Sequence, residues 1–328
     1  MVQRISKIVG EGLERVRTAL IAAGLVFALL CSAPLEAWGL GECRFPPRPP
    51  VVLKNMGICG FDPELLSFAG EPAQQAACLL SPVRAIGKLD PPLQSLPAAL
   101  ASRVGRSFEL PDRDAVRAFL REQNLDTDFG ETLARPVSHA HDNNPLARSA
   151  SYFVIHDTSA PNFGARPWPR DIDQDPKINN LDRYRCANKI ERAHVFINRT
   201  GQMLSAHDFE VPWRATKFEM AVQFSSALKG LFLHIELIQP RRQMPKRGRR
   251  NDFQAPAPGF SQAQYDRLAL AYVIASARAQ FWLIPAYHAV IDEGIYDKHD
   301  DPQNFELAAF AASLERLLDR LRKPANRS

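Results

Sequence analysis

"LFLHIELI", Leu231–Ile238, is a strongly apolar strand carrying one carboxylate. By the period of two, Leu231, Leu233, Ile235 and Leu237 share one face, and Phe232, His234, Glu236 and Ile238 share the other. A carboxylate in so apolar a setting costs free energy unless it is paired or linked to a metal. Glu236 is therefore either half of a structural ion pair or a functional group. Two further stretches have the same character. "YFVIH", residues 152–156, ends in His156 and runs into the polar "DTSA". "AHVFIN", residues 193–198, is followed by a turn through Gly201. Between and after these strands lie helical patterns. In "GFSQAQYDRLALAYVIASARAQFW", residues 259–282, Ser261 and Gln264 form a capping box and Phe260 and Tyr265 a hydrophobic staple. Tyr265, Leu268, Tyr272 and Ala275 then follow helical spacing. In "FELAAFAASLERLLDRL", residues 305–321, Leu307, Phe310, Leu314, Leu317 and Leu321 fall on one face. Strands mixed with helices predict an α/β domain with a mixed sheet flanked by helices, from residue 146 to residue 328.

Ahead of this domain the chain has a different texture. Arg4, Lys7, Arg15 and Arg17 precede the 15-residue apolar run Ala19–Ala33, which ends in the small residues Ser32 and Ala33, with Ala37 beyond. This is the pattern of an export signal over residues 1–37, with cleavage near Ala37; an uncleaved anchor is the alternative. Four cysteines then remain, Cys43, Cys59, Cys78 and Cys186, an even number that predicts disulfides in an exported chain and leaves three pairings open. "CRFPPRPPVV", residues 43–52, reads as a Pro-rich linker. Short helical patterns broken by Gly and Pro follow to about Gly105, and "LPDRDAVRAFLREQNL", residues 110–125, predicts a helix capped by Asp112 or Asp114. Residues 38–145 are accordingly read as a small, mostly helical N-terminal module that carries no catalytic cluster. The net charge of +5, in a chain with 45% apolar and 23% charged residues, fits an ordinary globular protein that meets an acidic surface or polymer.

The residues with chemistry gather late in the chain. "YHAVIDEGIYDKHDDPQNF", residues 287–305, holds His288, Lys298, His299, Asp300 and Asp301, dense in metal-ligand types and placed on a loop. A catalytic zinc takes three protein ligands and keeps one position for water. His156, His288 and one loop carboxylate would supply that set, with Glu236 as the base that takes the water's proton.

Four stretches in this order, "FVIHDTS", "AHVFINRTGQM", "HIELI" and "YHAVIDEGIYDKHDDPQNF", resemble the zinc-dependent N-acetylmuramoyl-L-alanine amidases, the family of the phage amidase-lysozymes and the peptidoglycan recognition proteins. "VPWRAT", residues 211–216, resembles that family's Trp-containing stretch, and the likeness covers roughly residues 150–320. The resemblance implies an amidase-like mixed sheet, with His156, His288 and Asp301 binding zinc. It implies Glu236 as the base and Lys298 as the group that stabilises the developing oxyanion. It also implies peptidoglycan or muropeptides as substrate, in the periplasm or outside the cell, with no nucleic-acid partner and no stable membrane insertion once the signal is removed. The chain departs from the family in places. "KHDDP" has an extra residue between Lys298 and Asp301, so Asp300 or His299 is the alternative third ligand. Ala193 stands where the family often has Tyr, and Arg214 where it has His. His194 and His234 read as pocket-lining or structural. "RRQMPKRGRR", residues 241–250, reads as a solvated basic loop or as an attraction for the carboxylates of stem peptides. Two rivals remain beside the amidase: a binding module of the same fold that recognises cell-wall fragments without cutting them, and an assembly protein in which zinc only stabilises.

Overall fold

Five strands of the C-terminal half pair into one sheet. In chain order they are β1 (Tyr152–Asp157), β2 (Val195–Ile197), β3 (Met203–Ser205), β4 (Phe232–Leu237) and β5 (Ile284–Tyr287). Their spatial order is β3-β2-β4-β1-β5. β1 runs parallel to both β4 and β5, and β2 runs parallel to β4, while β3 returns antiparallel to β2. The sheet is thus mixed, as expected. The computed structural model describes residues 50–109, 111–185, 193–244 and 253–322. The expected signal segment, Cys43, Cys186 and residues 245–250 of the basic stretch lie outside the described residues.

Every residue of β1 and β4 is buried. That is the environment of parallel strands covered on both faces, and it makes any polar side chain in them expensive unless it is satisfied. The described residues include four helices of eight residues or more: α1 (Pro72–Leu79), α2 (Arg113–Glu122), α3 (Gln262–Ala279) and α4 (Leu307–Arg322). α3 starts with the expected capping box between Ser261 and Gln264, and the Phe260 and Tyr265 rings meet edge-on at 6.1 Å. Of the two candidate caps of α2, it is Asp112 that accepts the backbone N–H of Asp114. α4 packs on α3 and buries Phe310, Leu314, Leu317 and Leu321, with Leu307 half-buried at its start.

The stretch before the sheet joins the same apolar core. Phe61 and Phe68 meet Phe218 at ring separations of 5.1 and 5.8 Å, and α1 packs against β5. The Tyr152 hydroxyl accepts the backbone N–H of Phe68 and donates to Gln75 Oε1, at 3.0 and 2.8 Å. Cys59 and Cys78 form a disulfide across this segment. No helix among the described residues is long and apolar enough to cross a membrane.

Candidate metal centre

β1 and β5 are neighbours in parallel register, with Ile155 opposite Tyr287. The next residue of each chain segment is a histidine. His156 is still in β1, and His288 begins the single helical turn His288–Ile291 that follows β5. Two imidazoles far apart in sequence are thereby fixed side by side at one end of the sheet. Asp301 arrives from the loop beyond. The His156 and His288 Nδ1 atoms lie 2.8 Å apart. His288 Nδ1 is 3.1 Å from the Asp301 carboxylate, and His156 Nδ1 is 3.8 Å from it. Donors on one tetrahedral zinc, with bonds of about 2.0–2.1 Å, stand roughly 3.3 Å apart, and the three separations here fall on either side of that value. All three residues are buried, and they form a group able to hold a metal ion.

The electrostatics agree with a cation site. Burial, reinforced by the neighbouring His288 and His234, holds His156 well below the usual histidine range, in the neutral form that ligates metals. Burial also pulls on His288, but the carboxylates of Asp301 and Asp292 outweigh it and hold that ring well above its ordinary value. Burial alone would raise Asp301, yet His288 brings it below the carboxylate norm.

Each of the three residues has a supporting partner. His288 Nε2 is 3.1 Å from the buried Asp292 carboxylate, the carboxylate–histidine pairing typical behind metal ligands. Asp292 also takes His299 Nδ1 at 2.6 Å, and the His299 ring stacks on His288 at 4.0 Å. His288, Asp292 and His299 form a second group able to hold an ion, sharing His288 with the first. Asp301 accepts the backbone N–H of Asp157 at 3.1 Å. Asp157 is in turn paired with Arg241 at 2.7 Å and accepts the backbone N–H of Gln303, so a buried ion pair braces the loop on both sides of the ligand. Arg241, read from sequence as part of a solvated basic loop, is only 1% exposed and belongs to this brace.

The three loop residues face different partners. Asp301 turns to the two histidines, Asp300 turns to Gln303 and Arg241, and His299 turns to Asp292. Glu236 lies directly opposite His156 in the β1–β4 register, so both side chains project from the same face on strands about 4.8 Å apart. Lys298 is paired with Glu293 and lines an open cavity of about 480 Å³ beside the centre, together with Lys217, Arg241, His299 and Asp300. Asp292 was within reach of sequence reasoning, since it lies four residues after His288 and thus on the same side of one helical turn. His234 shares its strand face with Glu236, but nothing in the pattern distinguishes it from a packed histidine. Lys217 and Glu219 carry no sequence signal.

No family model matches the chain, and no curated protein matches it. A solved structure described as a crystal structure of a Se-Met AmpD derivative is similar to it at a TM-score of 0.30 and 19% identity, over 55% of this chain and 94% of that one. A likeness of that size decides nothing here, and the centre is read from its own residues.

Proposed function

We propose that this chain is an exported zinc amidase that hydrolyses the amide between N-acetylmuramic acid and the L-alanine of peptidoglycan stem peptides. The observation that carries the reading is the convergence of His156, His288 and Asp301, with Glu236 one strand away on the same face. Two imidazoles and a carboxylate suit zinc, which when bound lowers the pKa of its water and polarises a carbonyl. His156, His288 and Asp301 would hold the ion, braced by Asp292 and by the Asp157–Arg241 pair. Glu236 takes the proton of the attacking water and returns it to the leaving amine. Lys298, on the cavity wall, offers positive charge to the oxyanion as it forms. The choice of bond and of substrate follows the resemblance of the four ordered stretches. Export follows the apolar run near the N-terminus and is consistent with the Cys59–Cys78 disulfide.

The test is metal analysis of the purified protein joined to product identification on muropeptides. The expected outcome is about one zinc per chain and release of free stem peptide. Metal-free protein, or iron in place of zinc, overturns the centre. Retention of muropeptides without release of peptide, at full zinc occupancy, favours the binding module instead.

A further inference from the structure

Behind the centre, on the side of β4, runs a line of three buried groups. Glu219 and His234 are both 0% exposed, and His156 is 1% exposed. His156 Nε2 is 3.0 Å from His234 Nδ1, and His234 Nε2 is 3.3 Å from Glu219 Oε1. We propose that Glu219 and His234 are positioning residues for the metal centre, which fix the His156 ring with its Nδ1 lone pair toward the ion. This rests on the reading of His156 as a metal ligand.

The argument is one of hydrogen-bond accounting. Glu219 is well satisfied before it meets His234: one oxygen accepts the backbone N–H groups of Ala215 and Thr216 and the Thr216 hydroxyl, at 3.1, 3.0 and 2.9 Å. A carboxylate with that many donors is held as an acceptor. It therefore takes the proton of His234 Nε2, which leaves His234 Nδ1 as a lone pair. That lone pair accepts from His156 Nε2–H, so the His156 proton is on Nε2 and its Nδ1 is free. His156 Nδ1 is the atom that faces His288 and Asp301. His194 cannot take over this task, although it stacks on His234 at 5.7 Å. Its Nδ1 accepts the backbone N–H of His234, and its Nε2 is 3.1 Å from the Val211 carbonyl, which can only accept. Both imidazole ligands of the centre thus end in a carboxylate, His288 directly at Asp292 and His156 through His234 at Glu219. Groups of this kind behind a ligand typically change metal affinity by 10–100-fold.

Glu219→Gln is the direct test. Its amide oxygen can keep the three donors from residues 215 and 216, while its NH₂ faces His234 Nε2 and reverses the tautomer along the line. Zinc affinity is measured by competition with a chromophoric chelator, and cobalt(II) is used as a spectroscopic probe of the centre. The expected result is zinc binding weaker by about 10–100-fold and an altered cobalt absorption spectrum, with the metal-free protein melting close to wild type. His234→Phe keeps the ring volume and should show the same loss. In that background Glu219→Gln should add little further, because Glu219 acts through His234. Wild-type affinity and an unchanged cobalt spectrum in Glu219→Gln overturn the inference alone. So does a variant that melts lower but binds zinc normally once folded, which marks a purely structural carboxylate. Wild-type protein that binds no zinc overturns this inference together with the metal centre.

Discussion

Glu236 is 7% exposed in a strand whose other residues are mainly apolar, and it lies opposite His156 in the sheet. Glu236→Gln keeps the volume of the side chain and removes its basicity. Under the proposed function, zinc stays bound and release of stem peptide falls by about 10²–10⁴-fold. Zinc content and peptide release measured on the same preparation check this. Loss of zinc along with activity would make Glu236 a ligand and defeat its role as the base. His156 and Glu236 stand out in sequence because each is a polar residue in an apolar strand, whereas His288 and Asp301 are drawn from a loop dense in ligand types and from the resemblance. Glu219 was not legible. Its meaning comes from a contact with a residue 15 positions away in the chain, and no local pattern encodes that contact. Arg241 was misread for a related reason: a basic residue at the start of a charged stretch looks solvated until its partner, Asp157 at the end of β1, is brought to it by the fold.

The strands were the easiest elements to read and the loop that carries Asp301 the hardest. Periodicity reports which face of an element is buried, but a loop has no period, and its shape is set by what packs against it. Here the N-terminal segment does that packing. Lys54 N donates to the Gly294 carbonyl and Asn304 N to the Val83 carbonyl, at 3.0 and 2.9 Å. Gly87, at φ +70°, presses on Asp300 so closely that an added Cβ would fall 2.5 Å from the Asp300 Cβ. Gly87→Ala should therefore act at a distance along the chain. It incurs roughly 1–2 kcal/mol of backbone strain and pushes on the residue adjacent to a ligand. The expected outcome is weaker zinc retention than in wild type, seen as faster loss to a chelator, together with a lower melting temperature. A variant that melts lower yet holds zinc as tightly as wild type would show that this contact supports the fold only. The disulfide between Cys59 and Cys78 closes the same segment with 19 residues of separation, and the Cys59→Ser/Cys78→Ser variant should lose about 3 kcal/mol of stability in denaturant unfolding.

At the scale of the molecule, the centre joins parts that the sheet alone does not hold together. His156 belongs to the middle of the sheet, His288 to the turn after its edge strand, and Asp301 to a loop leaning on the N-terminal segment. An ion bound only by the folded state stabilises it by about 2.7 kcal/mol when free metal stands at 100 times its dissociation constant. With about 2.1 cal/mol/K of unfolding entropy per residue, each kcal/mol moves the melting temperature of a chain this long by roughly 1.5 °C. Chelation should then lower it by about 4 °C. The fold should nevertheless survive, because one continuous apolar core runs from Phe61 to Leu321 and owes nothing to the ion. In this the chain differs from small zinc modules that unfold when stripped. His156→Ala should melt as the chelated wild type does and should gain nothing from added zinc. Thermal melts of wild type and variant, with and without chelator, decide the matter. Cooperative unfolding that vanishes on chelation would mean the metal organises the whole fold, whereas melts indifferent to chelator and zinc would remove the metal from the account of stability altogether.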